Sequence, residues 1–211
     1  VLCQAGQSED GLELAARTSD LIFNNKHTPE GNRAFREDVR ARAARAGRNP
    51  DDLLFMPGVY VVVGGTEEEA QRKLLNARDA VDETTAKRFL QPFLRSIDLM
   101  PLEFDAPPPD TADVRANAAA AGMMLEENGR RLSVRELCTS YGNHWRQFQL
   151  IGTPEQIAGR MIEWFEMGVI DGFNLMTLTL PDGFADIADH VVPLLQKHGI
   201  YREGYEGKTL R

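Results

Sequence analysis

A short polar turn near the start of the sequence carries the residues best suited to bind a phosphate group. Gly6 permits close approach of the backbone, the Ser8 hydroxyl is a hydrogen-bond donor, and free amides at the start of the following helix would point at a ligand. The candidate binding residues are Gln4, Gly6, Gln7 and Ser8. A second interpretation stays open, in which Ser8 only caps its own helix while Glu9 and Asp10 compete for the helix start through their charge.

His144 is the candidate catalytic residue. It lies beside Trp145 and just before the last strand and helix, where an imidazole could hold a carboxylate substrate or a reacting oxygen. The alternative is a histidine that serves packing or lies at the surface. Further polar candidates near strand ends are His27, Asp171, Asn174, Thr177 and Thr179. The sequence shows no Ser/His/Asp order, no paired carboxylates in a cleft motif and no cluster of metal ligands, so no metal site is predicted.

The elements around the polar turn alternate between strand and helix. An apolar opening strand, a helix from Leu12 to Thr18 and a second strand over residues 21–23 predict a βαβ step. Thr28 as cap and Pro29 at the first helical position predict the start of a long helix. Residues 53–64 form an apolar run rich in β-branched side chains, which is typical of a strand covered on both faces in a parallel sheet.

This alternation is lost in residues 83–145, which are predicted to be a helical insertion. A capping box at residues 66–69 starts the helix before it, which runs to about Val81. Within the insertion, the alanine-rich stretch from Ala112 to Glu127 predicts a helix, and residues 133–136 form another capping box.

The alternation returns after the insertion. A capping box at residues 153–156 starts one helix, residues 171–178 predict the last strand, and the final helix ends at Gly199. Four strands, each followed by a helix, are half of an eight-stranded β/α barrel, which usually takes about 250 residues. The predicted fold is therefore α/β, the last four units of a TIM barrel with the insertion before the final unit, in a single domain over residues 1–211.

Composition excludes several classes of function. The 24 basic and 32 acidic residues give a net charge of -8 and no basic stripe, so nucleic acid is not an expected partner. The longest apolar stretch, residues 59–63, is too short to cross a bilayer, and no signal peptide is evident, so we expect a cytoplasmic protein. Cys3 and Cys138 are expected to be buried thiols.

Motifs in order along the sequence resemble those of the bacterial-luciferase-like flavin monooxygenases. The first is Gln4-Ala5-Gly6-Gln7-Ser8-Glu9-Asp10-Gly11 followed by Leu14-Ala15-Ala16-Arg17 and Asp20-Leu21-Ile22-Phe23. The second is Gly152-Thr153-Pro154-Glu155-Gln156-Ile157-Ala158 with Gly172-Phe173-Asn174, and the third runs from Pro193-Leu194-Leu195 through Tyr201-Arg202-Glu203-Gly204-Tyr205 to Thr209-Leu210-Arg211. The resemblance is to the branch of nitrilotriacetate monooxygenase component A, which includes EDTA, dibenzothiophene-sulfone and long-chain-alkane monooxygenases.

The resemblance implies a TIM-barrel enzyme that binds reduced FMN, supplied by a separate NADH-dependent flavin reductase. Such an enzyme reacts the flavin with O2 and inserts one oxygen atom into a small organic substrate. In the family the Gly/Ser turn contacts the flavin phosphate, which carries onto Gly6, Gln7 and Ser8. The resemblance also implies that the insertion, residues 83–145, covers the substrate pocket.

The sequence departs from the family because the first four strands are not in this chain. A half barrel exposes two strand edges and part of its apolar interior, so we expect it to form a homo-oligomer or to require its missing half. We expect little monooxygenase activity from the 211 residues alone. Two alternatives remain: a deazaflavin-dependent oxidoreductase of the same superfamily, and a non-catalytic half-barrel assembly module.

Overall fold

The structure is a computed structural model that describes residues 1–141, 148–205 and 207. The strands are β1 (Cys3–Gln4), β2 (Leu21–Asn24), β3 (Leu54–Val63), β4 (Glu126–Glu127), β5 (Arg130–Arg131), β6 (Gln149–Gly152) and β7 (Asn174–Thr177). The helices are α1 (Glu9–Thr18), α2 (Pro29–Arg45), α3 (Glu67–Asp79), α4 (Glu83–Leu90), α5 (Ala112–Ala120), α6 (Val134–Tyr141), α7 (Pro154–Glu166), α8 (Asp182–Asp186) and α9 (Val192–Lys197). No helix in the described part of the chain is long and apolar enough to cross a membrane.

The chain divides into two compact units. The first contains Val1–Leu74 with Gln147–Arg211, and the second contains Leu75–Arg146. The sequence predicts a single domain over residues 1–211 with an insertion at 83–145, and that division stays a prediction.

The first unit is built on a parallel sheet. Its strand order is β1-β2-β3-β6, and β7 also pairs with β3. The ten-residue β3 accommodates these neighbours because residues 54–57 lie beside β2, residues 58–61 beside β7 and residues 60–63 beside β6. In a parallel sheet the carboxyl ends of all strands lie at the same edge, so the turns after β1 and β2 are neighbours.

Alternation along β3 separates two faces of the sheet. Val59, Val61 and Val63 pack in a buried cluster with residues of β6, α7 and the final helical segment: Leu150, Ile157, Ala158, Met161, Ile187, Val191 and Leu195. On the other face Gly58 leaves room for two side chains, because a Cβ there would lie 2.7 Å from Phe23 Cε2 and 3.0 Å from Met176 Cε. Burial on both faces explains why β3 is an almost continuous apolar run.

Several predicted helix starts are confirmed. Thr28 Oγ1 accepts a hydrogen bond from Gly31 N–H at 3.1 Å, and Pro29 is the first residue of α2. Thr153 and Gln156 form the complete capping box of α7. At α3 the box is altered: Thr66 Oγ1 accepts from Glu69 N–H at 3.2 Å, but the Glu69 carboxylate accepts from the N–H of Gly65.

Other predictions about elements are wrong. Helix α1 begins at Glu9, not Leu12, because Ser8 is its cap. The strand β6 precedes α7 and was not predicted. The final helix contains a π segment, Ile187–Val191, because Pro193 has no N–H to continue the α-helical ladder. Cys3 is exposed, since β1 pairs within the described residues only with β2, whereas Cys138 is buried as expected.

The second unit contains a β-hairpin where the sequence predicts helix up to Glu127. Helix α5 ends at Ala120, and the strands β4 and β5 pair antiparallel. Asn128 and Gly129 turn the chain between them with φ of 52° and 75°. Both residue types adopt positive φ readily, and together they favour a tight hairpin turn. The prediction of a helix up to Glu127 was wrong because it followed the alanine-rich composition and not the turn signal of Asn128 and Gly129.

Lys87 is a buried charged residue of the second unit. It is 2% exposed, and its Nζ donates to Glu83 Oε1 at 2.6 Å and to the carbonyl oxygen of Leu102 at 2.5 Å. A buried ammonium requires such partners because burial of an unpaired charge is costly. Burial also raises the pKa of the nearby Cys138 thiol to about 11.

Candidate functional site

The turn between β1 and α1 contains the predicted phosphate-binding residues. Ser8 is the cap of α1, and its Oγ accepts a hydrogen bond from Gly11 N–H at 3.2 Å. Gln4 Oε1 accepts from Gly6 N–H at 2.9 Å, so the Gln4 side chain holds the shape of the turn. The capping interpretation of Ser8 is thus realised, and it leaves the hydroxyl proton of Ser8 available to an acceptor.

Two glycines let the turn lie directly against the first turn of α1. A Cβ on Gly11 would lie 2.9 Å from the carbonyl carbon of Gly6 and 3.1 Å from its Cα. Because these are backbone atoms, no side-chain rotation could relieve the clash. Gly11 is therefore as much a part of this turn as Gly6, although it was not among the predicted binding residues.

The start of α1 is exposed and its amides are open. Within the part of the chain that the structure describes, the backbone N–H groups of Gln7, Ser8, Glu9 and Asp10 donate no hydrogen bond. Ser8, Glu9 and Asp10 are all exposed to solvent. The amino end of a helix also carries a partial positive charge, so this surface can accept an anion.

The Glu9 carboxylate beside these amides is bonded to Arg42 of α2. Arg42 Nη2 lies 2.9 Å from Glu9 Oε2, and Arg42 Nη1 lies 3.1 Å from Glu13 Oε1. Arg42 Nε lies 2.9 Å from Asp38 Oδ1. The hydrogen bonds that Arg42 donates to Asp38 and Glu9 raise the pKa of Arg42 above its already high value.

The turn after β2 is joined to the turn after β1. Gln7 Nε2 donates to Asn25 Oδ1 at 2.7 Å. Two buried asparagines shape this second turn: Asn24 Oδ1 accepts from Lys26 N–H at 2.8 Å, and Asn32 Nδ2 donates to the carbonyl oxygen of Lys26 at 3.2 Å. Asn24 is the last residue of β2 and Asn25 follows it, and asparagine favours turns at such positions.

Tyr60 lies on the same face of β3 as Gly58, opposite the valines that pack against the helices. It is 6% exposed, and burial raises the pKa of Tyr60 to about 12. The phenol is therefore neutral at physiological pH. Tyr60 was not among the predicted site residues, because it lies inside an apolar run.

The remaining candidates differ in their surroundings. Asp171 accepts from Arg36 Nη1 at 2.5 Å and from Phe55 N–H at 2.8 Å, so it joins α2 to β3 and serves structure. Thr177 lies against Gly183, where a Cβ would lie 1.7 Å from its Oγ1. Asn174 and Thr179 are exposed. His144 lies outside the described residues, and its predicted catalytic role stays a prediction. The described residues contain no group of three or more potential metal ligands.

The sequence matches the luciferase-like monooxygenase family over residues 2–171, and the chain belongs to that family. The predicted resemblance to flavin monooxygenases is confirmed. The match begins one residue before β1 and includes the turn and the start of α1 described above.

Known relatives are about twice as long as this chain. N-acetyl-S-(2-succino)cysteine monooxygenase of Bacillus subtilis (strain 168) is 36% identical over 100% of this chain and 48% of the relative. Nitrilotriacetate monooxygenase component A of Aminobacter aminovorans is 35% identical over 100% of this chain and 47% of the relative. The chain spans about half the length of the curated relatives it matches.

A solved structure of a riboflavin lyase, with modified FMN and riboflavin, superposes on 100% of this chain and 46% of its own with a TM-score of 0.75 at 27% identity. The predicted fold class is confirmed by this likeness and by the parallel sheet. The chain corresponds to about half of a luciferase-like TIM barrel.

Proposed function

We propose that the protein is the oxygenase of a two-component monooxygenase that uses reduced FMN and O2 to oxidise a small organic molecule. Two relatives are named monooxygenases, and the matching riboflavin lyase structure contains a modified FMN. The observation that carries the proposal is the exposed start of α1, where open amides follow a glycine turn in the motif shared with the family.

The turn and α1 fit the phosphate of FMN. The N–H groups of Gln7 and Ser8 and those of the first helical residues would donate to phosphate oxygens. The Ser8 hydroxyl would donate as well, since its oxygen accepts from Gly11 N–H and its proton is still available. Gly6 lets the backbone approach the ligand, and Gln4 contributes by fixing the turn.

The bound reduced flavin would supply the activation of O2 and the transfer of oxygen. The protein residues would then bind the flavin, orient it and exclude water. We keep His144 as the candidate to hold a carboxylate or a reacting oxygen.

The name component A of the Aminobacter relative fits a system of several proteins. We propose that a separate NADH-dependent flavin reductase delivers the reduced FMN. Homo-oligomer formation and a cytoplasmic location remain part of the proposal. Light scattering measures the first: a defined homo-oligomer is expected, and a monomer would contradict it.

Anaerobic titration of the protein, as its cells make it, with reduced FMN, reduced riboflavin and a reduced deazaflavin tests the cofactor. We expect saturable binding of FMN, roughly tenfold or more tighter than that of riboflavin, because riboflavin lacks the phosphate that would bond the open amides. Tighter binding of the deazaflavin would favour the hydride-transfer alternative. A defined oligomer that binds none of the three would favour the assembly module.

A further inference from the structure

The guanidinium of Arg42 gathers carboxylates from two helices. Glu9 and Glu13 come from α1, Asp38 comes from α2, and each has an oxygen within 3.1 Å of an Arg42 nitrogen. The Arg42 side chain is only 12% exposed, whereas that of Glu9 is 82% exposed. Arg42 is thus a half-enclosed cation paired with an exposed carboxylate, that of the residue directly after the cap of α1.

Carboxylates in the first turns of other helices behave differently. The pKa of Glu68 in α3 and that of Glu155 in α7 are lowered by their own backbone N–H groups and by the cap hydroxyls of Thr66 and Thr153. Such a carboxylate lies beside the donors that an external anion would need. The Glu9 carboxylate is instead bonded to Arg42, and the Glu9 N–H stays open.

We propose that Arg42 is a positioning residue for the phosphate site: it holds the Glu9 carboxylate to the side of the amides, and so keeps the start of α1 open to a phosphate dianion. The inference rests on the proposed function, because FMN is the ligand that would bring the phosphate. It also explains how an acidic residue can occupy the first position of a helix that binds an anion. Arg42 itself touches no ligand in this role.

The expected effect is that of one charge near a solvent-exposed site. An interaction between unit charges about 4 Å apart in water corresponds to roughly a fivefold change in an equilibrium constant. Salt screens such an interaction, so the contribution of Arg42 should shrink as ionic strength rises from about 0.01 to 1 M.

A double-mutant cycle on the intact protein tests the inference. Binding of FMN and of riboflavin is measured for the parent, Arg42→Gln, Glu9→Gln and the double variant, and the ratio of the riboflavin and FMN dissociation constants is compared. We expect Arg42→Gln to lower this ratio roughly fivefold when Glu9 is present and less than twofold when Glu9 is already glutamine.

Arg40→Gln is the matched control. Arg40 lies on the same helix and pairs with Asp51, so its loss changes the net charge equally without touching Glu9. We expect the ratio to be unchanged in this variant. If Arg42→Gln does not fold, as judged by thermal unfolding, Arg42→Met, which also removes the charge, takes its place in the same cycle.

The outcomes separate the inference from the function on which it rests. Equal binding of FMN and riboflavin by the parent would refute the phosphate site itself. A parent that prefers FMN but loses that preference equally in Arg40→Gln, or equally with and without Glu9, would overturn the role of Arg42 alone. The role of Arg42 is supported if Arg42→Gln weakens binding of FMN and not of riboflavin, and does so only while Glu9 is present.

Discussion

Helices α1 and α7 begin with the same capping chemistry but leave different surfaces. Ser8 and Thr153 each accept a hydrogen bond from the N–H three residues later. At α7 the third residue is Gln156, whose Oε1 accepts from Thr153 N–H at 2.9 Å. At α1 the third residue is Gly11, which has no side chain to fold back. The start of α7 is closed by its own side chains, and that of α1 is left open.

The difference shows that the third residue after the cap decides whether the start of a helix is covered by a side chain or stays open to a ligand. Glycine inside a helix costs about 0.5–1 kcal/mol relative to alanine, and α1 also lacks the second hydrogen bond of the box. Pro154 further removes one donor from the start of α7, whereas Glu9 retains its N–H at the same position of α1. The less stabilised of two helix starts is thus the one fit for an anion.

Closing the open start by a single methyl group should have the largest effect. In Gly11→Ala the new Cβ would lie 2.9 Å from the Gly6 carbonyl carbon, so the turn must move. We expect a loss of about 1–3 kcal/mol in the free energy of unfolding and a loss of FMN affinity of roughly tenfold or more. Chemical denaturation and FMN titration measure the two effects.

Gly159→Ala in α7 is the matched control for that change. A Cβ there meets nothing within 4 Å, and the position is helical and exposed. This variant should be about 0.5–1 kcal/mol more stable than the parent and should bind FMN unchanged. Unchanged FMN affinity in a folded Gly11→Ala protein would contradict the site.

Removing the two cap hydroxyls should separate stability from binding. Ser8→Ala and Thr153→Ala each lose a cap bond and should each lose about 0.5–2 kcal/mol in the free energy of unfolding. Only Ser8→Ala should also weaken FMN binding, by roughly tenfold, because only that hydroxyl lies at the proposed phosphate site. Equal FMN affinity in the two variants would mean that Ser8 is a cap and nothing more.

Local signals made much of the first unit predictable. The cap and proline of α2, the capping box of α7 and the β-branched run of β3 each depend on residues within one turn or one strand. The polar turn at residues 4–8 could be singled out for the same reason. A local motif fixes its own hydrogen bonds wherever the rest of the chain lies.

Features that depend on distant residues could not be predicted. The clash that excludes a side chain at Gly11 requires the turn to fold back on α1, and the bond between Arg42 and Glu9 joins residues 33 positions apart. Composition misled the prediction once, at Asn128 and Gly129, where an alanine-rich segment concealed a hairpin turn. For α1 and α2 the sequence shows which residues are charged and how the apolar residues recur, but it does not show which surfaces of the two helices meet.

The smallest expected effect concerns the carboxylate that closes α7. Its own N–H and the Thr153 hydroxyl lower the pKa of Glu155 below the usual 4.5, so the stabilisation it contributes is present above that pH and is lost as pH falls through the lowered pKa. Carbon-13 NMR titration should show this shift, and Thr153→Ala should return the pKa of Glu155 toward 4.5 while Ser8→Ala leaves it alone. An ordinary pKa for Glu155 in the parent would mean that its carboxylate does not hold the amide. The start of α7 would then retain an open donor, and openness alone could no longer explain why α1 rather than α7 is the place for a phosphate.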